Sequence, residues 1–245
     1  MRAFLPVLTL GLVVLAGAVP AAGRDPGAEP PADWRGDNAA LRYWVAIVSH
    51  QKIEDMEERM LADDVAIGEE PYDARFDAHL EANASALKAL RQGARMEKCS
   101  FGIAWEDGFT AELPHLSEMR RLGFLLLLDA RRLAARGQAR EAIATALEIV
   151  TIGRHVGEDR LLVNGLVGIA VAGLGAGGAG DLIARHPEAL ELKRVLALPD
   201  QPVDLGAALD GEVYCAQRFA PAPASCRTIS PPSRPPWAGP CRSIR

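Results

Sequence analysis

Aromatic residues are scarce in this chain. They fill 5% of its 245 positions, against 49% for hydrophobic residues as a whole. Leu, Ala, Val and Ile must therefore build the core. That palette favours helices, because Ala and Leu are strong helix formers while aromatic and β-branched side chains lead in strands. Positive charge is not in excess either: 27 Lys and Arg stand against 32 Asp and Glu, a formal net charge of −5. A nucleic-acid binder usually displays a basic face, so this balance argues for no nucleic-acid partner. There are four cysteines, and only Cys99 lies in the well-patterned part of the chain. It reads as a buried structural thiol. Cys215, Cys226 and Cys241 fall near the C-terminal end at spacings that match no zinc motif. Gly-x-Ser-x-Gly, His-Glu-x-x-His and Walker loops are all missing, and with them the signatures of common hydrolases, metalloproteases and nucleotide binders.

Long uncharged runs are also rare, and the two present are informative. Leu5 to Val19 follows Arg2 and ends among small residues, Ala16-Gly17-Ala18 and Ala21-Ala22-Gly23, before Arg24 and Asp25 restore charge. This is the layout of a secretory signal peptide, and it is shorter than the roughly 20 residues of a membrane span. Residues 1–23 are expected to be a signal peptide, which places the protein in the periplasm or outside the cell; the alternative is that the segment stays uncleaved and anchors the chain to the membrane. Residues 24–36, rich in Pro and Gly, read as a flexible leader. The second run, Leu161 to Gly180, holds seven glycines and no charge. It reads as a small-residue helix packed closely on its neighbours and running to about Arg185. The alternative is a membrane-associated segment over residues 161–180, since Gly173-xxx-Gly177 has the spacing of a helix-packing motif.

Helical periodicity dominates the remainder. A first helix is predicted from a cap at Asp37 or Asn38 to about Asp63, with Leu41, Trp44, Val45, Val48, Met56 and Met60 as its apolar stripe. A second runs from about Asp73 to Ala94, with Phe76, Leu80, Leu87 and Leu90 inward. Residues 97–113 are irregular, with Trp105 and Phe109 expected to pin that loop. Pro114 opens a third helix, because its missing N–H would be unpaired there anyway. Leu116, Met119, Leu122, Leu126, Ala130 and Leu133 form its stripe, and Gly137 ends it. A fourth helix follows to about His155, with Ala142, Ala146, Ile149 and Val150 inward, making an antiparallel hairpin over residues 114–157. His186-Pro187 stops the small-residue helix, and a last helix spans about Glu188 to Ala197. The fold expected is all-α: an irregular array of five to six helices over residues 37–198. Residues 199–245 form a Pro-rich tail, read as disordered or frame-shifted after about Val213.

Several short matches have ordinary explanations. Gly173-x-Gly175-x-x-Gly178 fits a dinucleotide fingerprint, with Asp200 as the ribose acid, but the chain upstream is helical and too little remains downstream for a doubly wound sheet. No cofactor is expected. Glu112-x-x-His115 is a single copy of a di-iron motif that needs two copies and two further Glu; His115 and Glu118 read as capping or solvent-facing. His50, Glu54, Glu57 and Glu58 read as a solvated acidic helix face, and no metal is expected. Ser85-x-x-Lys88 lacks the companion elements of serine acyl enzymes. Asn83-Ala84-Ser85 is a glycosylation sequon.

Leu128 to Ala142, with Gly137 followed by Ala142, resembles one tetratricopeptide hairpin, in which the glycine permits the turn and the alanine close helix contact. More broadly, Leu113-Pro-His-Leu116, Ala130-Arg131, Arg136-Gly137 and Leu162-Val-Asn-Gly-Leu-Val-Gly168 resemble uncharacterised exported helical proteins of planctomycete-like bacteria. That resemblance covers about half the mature chain and implies a class and a compartment. No catalytic residue is assigned. The expected role is an exported helical scaffold or interaction module whose concave surface binds a peptide or protein. The alternatives are an extracytoplasmic enzyme or metal-binding protein with a site around His50, Glu54, His115 and Trp105, and a membrane component using residues 161–180.

Overall fold

The computed structural model of the chain describes residues 38–104, 107, 110–191, 195, 198 and 203–219. The predicted signal peptide and leader lie outside these residues, as do Trp105, Phe109, Asp200, Cys226 and Cys241. Within them the protein is mostly helical and has no strand. Eight α-helices are present: α1 (Ala39–Ser49), α2 (Met56–Ile67), α3 (Asp77–Ala82), α4 (Ala84–Ala94), α5 (His115–Ala135), α6 (Ala139–Gly157), α7 (Leu162–Arg185) and α8 (Leu205–Phe219). Short 3₁₀ turns lie at Ala74–Phe76 and Pro187–Ala189.

The predicted count of five to six is too low because two predicted helices are each divided at one buried side chain and because a further helix, α8, lies in the predicted tail. Asn83 is fully buried. Its Oδ1 accepts from the Gln51 amide at 2.8 Å, and its Nδ2 donates to the carbonyls of Gln51 and His79, both at 3.0 Å. The backbone of Gln51 bonds to this amide instead of continuing α1. The predicted 37–63 helix therefore splits into α1 and α2, and the predicted 73–94 helix into α3 and α4 at Asn83 itself. Asp55 restarts the chain by accepting from the Glu58 amide at 2.8 Å. The same burial removes Asn83 as a glycosylation site.

Asn38 caps α1 as predicted, its Oδ1 accepting from the Ala40 amide at 3.1 Å. Of the predicted α1 stripe, however, only Trp44 packs against the core, half-buried. Leu41, Val45 and Val48 are exposed on α1, and Met56 and Met60 are exposed on α2; the buried face of α1 is Ala39, Ala40, Tyr43 and Ala46. Small alanines let α1 lie close on α4, where Gly93 leaves room for the Tyr43 ring. Phe76, Leu80, Leu87 and Leu90 are buried as predicted.

Helix α5 is the centre of the molecule, covered by α2, α6 and α7. It is buried nearly all round from Leu125 to Arg131. Gly137 sits at φ +79°, and the Gln138 and Gly137 amides bond back to the Leu133 and Ala134 carbonyls, a Schellman closure open to glycine without strain. The hairpin of α5 and α6 predicted over residues 114–157 is thus present. Helix α7 lies along α6 with backbones in near contact. A Cβ at Gly168 would stand 2.6 Å from the Gly153 carbonyl, and one at Gly175 would stand 2.8 Å from that of Ala146. Close packing therefore runs through Gly153, Gly168 and Gly175. Gly173 and Gly177, the pair with the predicted packing spacing, face open space.

The predicted disordered tail over residues 199–245 is corrected for residues 205–219, which form α8. Asp204 accepts from the Ala207 amide at 3.0 Å, and Glu212 accepts from the Leu162 amide at 3.0 Å at the start of α7. Ala208 and Cys215 are buried, and Cys215 is a free thiol. The prolines at 199 and 202 mask this amphipathic segment in the sequence. The predicted 188–197 helix is only partly described; its first residues form the 3₁₀ turn at Pro187–Ala189. Residues 220–245 lie outside the described residues.

Candidate functional site

Helices α2, α5 and α7, with the α1–α2 connection, enclose a groove of about 800 Å³. Its floor is apolar: Ile53, Leu116, Phe124, Leu125, Val163 and Val167. α5 supplies Phe124 because its four successive leucines already saturate the core, and that ring, one position ahead of them, is left half-buried. α7 supplies Val163 and Val167 from the side turned away from α6. Above the floor stand Lys52, Arg59, Arg120 and Arg121, together with Glu54, Asp63, His50 and His79.

The charged groups are only partly satisfied. Glu118 accepts from Lys52 Nζ at 2.9 Å and from Arg121 Nη1 at 2.8 Å, while its second oxygen is buried without a partner in the protein. His50 Nδ1 is likewise buried and unpartnered. Burial lowers the pKa of His50, against an opposing pull from Glu118. Burial lowers His79 too, so both imidazoles are neutral near pH 7. Asp63 moves the opposite way: burial raises its carboxyl, against Arg59 and Arg120. Perturbed titrating groups gathered in an apolar concavity are the usual mark of a binding or catalytic site.

Of the sequence candidates, His50 and Glu54 line this groove and His115 does not. His115 is buried behind it, stacked on Phe101 at a centroid distance of 4.0 Å, with Trp44 edge-on at 6.2 Å and Asn164 Nδ2 at 3.3 Å from Nε2. The expectation that it caps or faces solvent is therefore wrong. Burial lowers its pKa to about 4, and it belongs to the core. Glu57 and Glu58 are exposed on α2. Among the described residues no three His, Cys, Asp or Glu side chains gather to hold a metal, so the metal form of the His50, Glu54 and His115 alternative has no ligand set there. The glycines of the dinucleotide fingerprint lie within α7, whose backbone N–H groups are engaged by its own carbonyls and cannot cradle a phosphate. Ser85 and Lys88 are exposed one turn apart on α4.

No family model, curated protein or solved structure matches this chain.

At the opposite end of α1 lies a second polar cluster with a structural task. Asn38 Nδ2 donates to the Ser100 carbonyl at 2.7 Å, Glu158 accepts from the Cys99 amide at 2.6 Å, and Asp159 accepts from the Phe101 amide at 3.0 Å. These bonds moor the irregular 97–104 segment to α1 and the end of α6. Burial raises Asp159 to about 6. His155 Nε2 lies 2.8 Å from Arg154 Nη2, and Nδ1 lies 2.6 Å from Tyr43 Oη. Burial first, and then Arg154, lowers His155 to about 3. Cys99 is buried here as a free thiol, as expected, and burial pushes its pKa up, which makes it unreactive.

The groove residues that sequence reasoning missed are Arg59, Asp63, His79, Arg120, Phe124 and Val163. They come from four elements, and although Arg59 and Asp63, and Arg120 and Phe124, are each one turn apart, no sequence window contains them together.

Proposed function

We propose that the chain is an exported helical interaction module that holds a partner peptide in the groove between α2, α5 and α7. The carrying observation is the groove's composition, an apolar floor beneath Arg59, Arg120, Arg121 and Lys52. Charge complementarity selects the occupant: a segment with apolar side chains for Phe124, Val163 and Val167 and at least one carboxylate for Arg59 and Arg120. The unpartnered His50 Nδ1 offers the peptide backbone a hydrogen-bonding position. Support for export comes from the N-terminal layout and from the resemblance to exported helical proteins. N-terminal sequencing of the chain from producing cells tests it, with loss of residues up to about Gly23 as the expected result.

Selection from a random-peptide display library tests the binding. Acidic, apolar peptides should be enriched on the full chain. Val163→Glu, at a position 43% exposed, should abolish their binding without loss of helix content. Enrichment of basic peptides, or binding indifferent to Val163→Glu, contradicts the reading.

A second reading, an enzyme at the same groove, draws on the opposed shifts of Asp63 and of His50 and His79, which suit an acid and base pair. Turnover of a trial substrate that vanishes in His50→Gln while peptide binding persists would favour it. A membrane role for residues 161–180 draws on α7, long and apolar enough to cross a membrane, with Leu166 and Ile169 exposed; recovery of the chain without detergent argues against it.

A further inference from the structure

A second cleft, of about 450 Å³, opens between α4 and α5 on the face carrying Lys88 and Arg91. Lys88, Arg91 and Arg95 recur at helical spacing along α4 and just past its end, and Arg132 joins them from α5. Leu80, Ala84 and Leu87 form an apolar wall beside them. Asp129 lies beneath, 1% exposed, and accepts one hydrogen bond from Arg91 and one from Arg132. Those two guanidiniums are thereby fixed with most of their N–H groups unused. Glu148 stands 3.8 Å from both Arg91 and Arg95, too far for a hydrogen bond. Lys88 has no ion-pair partner among the described residues. Decisively, Arg132 Nε is buried with no acceptor in the protein. A buried donor left unpaired costs about 1–3 kcal/mol, and the part of the Arg132 guanidinium that faces the cleft, 15% of the side chain, is what an acceptor there would meet.

We propose that this cleft binds the oxyanion of a small organic anion. The charged group is taken by Arg132, Arg95 and Lys88, and its organic body lies on Leu80, Ala84 and Leu87. Four cations face the acids Asp129, Glu148 and Glu81, which leaves a single positive charge in excess. A singly charged carboxylate or phosphate ester matches that excess. Arginine suits both, because its fork of donors meets two oxygens at once. The site is separate from the groove and does not depend on its reading.

Isothermal titration of the full chain with phenyl phosphate, benzoate and benzylamine tests this. At least one of the two anions should bind, and the tighter one tells an ester from a carboxylate. Benzylamine, of similar body and opposite charge, should not bind. The double substitution Lys88→Ala, Arg95→Ala removes two exposed side chains without touching Asp129, and should weaken the anion by about tenfold, one charge-assisted hydrogen bond or more. Glu81→Gln should tighten it, a gain that no purely structural role of Glu81 would produce. Binding of neither anion, equal binding of benzylamine, or an anion affinity unmoved by the double substitution would overturn the proposal.

Discussion

Single side chains decide how closely α6 and α7 approach. A methyl group at Gly153 would collide with the Ala172 amide and the Gly168 carbonyl, both backbone atoms that cannot swing aside. Gly153→Ala should therefore cost about 1–3 kcal/mol or more as overpacking. At Gly173 the same methyl group meets nothing, so Gly173→Ala should stabilise the chain by about 0.5–1 kcal/mol through helix propensity. Urea unfolding of the two variants checks the contrast; equal shifts would mean that α7 is rotated from the position described. Buried titrating groups make a second prediction at this scale. His115 and His155 are held to about 4 and about 3, from the usual 6.5. Their contribution to stability is complete above pH 6.5 and is lost as pH falls through those values. Asp159, raised to about 6 from 3.8, acts in reverse: its contribution is complete below 3.8 and lost as pH rises through 6. The lowered imidazoles, with His50 and His79 added, outnumber the raised carboxyls of Asp63, Glu158 and Asp159, so stability should fall by on the order of 1.4 kcal/mol per pH unit for the net group between pH 6.5 and 4. Urea midpoints measured across that range check it, and a midpoint that rises on acidification contradicts it.

At the scale of elements, one amide holds two helix breaks. Asn83→Ala should leave the Gln51 amide and carbonyl without their partner and cost about 2–3 kcal/mol. Amide hydrogen exchange should show Gln51 losing protection while α5 keeps its own. Retained protection at Gln51 would assign the breaks to another cause. These breaks also explain what was legible in the sequence. Periodicity located α5, α6 and α7 to within a few residues, because their stripes are long and their ends carry Pro114, Gly137 and His186-Pro187. It missed the division at Asn83, since an asparagine in a helical window carries no sign that its side chain will be buried against a distant turn. It misplaced the inner face of α1, since Leu41, Val45 and Val48 outweigh alanines in any hydrophobic count, whereas the fit of Tyr43 over Gly93 decided the matter. It missed α8 because flanking prolines and the composition beyond it resemble a tail.

For the molecule as a whole, the arrangement of α2, α5 and α7 creates a surface that no helix has alone. His50 and Glu54 were legible as candidates because they stand four positions apart in sequence, and both reach the groove from the non-helical connection between α1 and α2. His115 was not legible as core, because its burial depends on Phe101 and Trp44, neither of which is near it in sequence. The cations of the rim were invisible as a group, since Arg59 and Arg120 are brought together only by the packing of α2 on α5. The groove is thus a product of tertiary packing, and its chemistry follows from the side chains that packing leaves unsatisfied. The central claim is that this groove is where a partner is held. NMR titration of the labelled full chain with an acidic, apolar peptide from the display selection tests it most directly. Shifts should concentrate on His50, Phe124, Val163 and Val167. Shifts that spare these residues and gather elsewhere, for instance on the exposed face of α1, would contradict it.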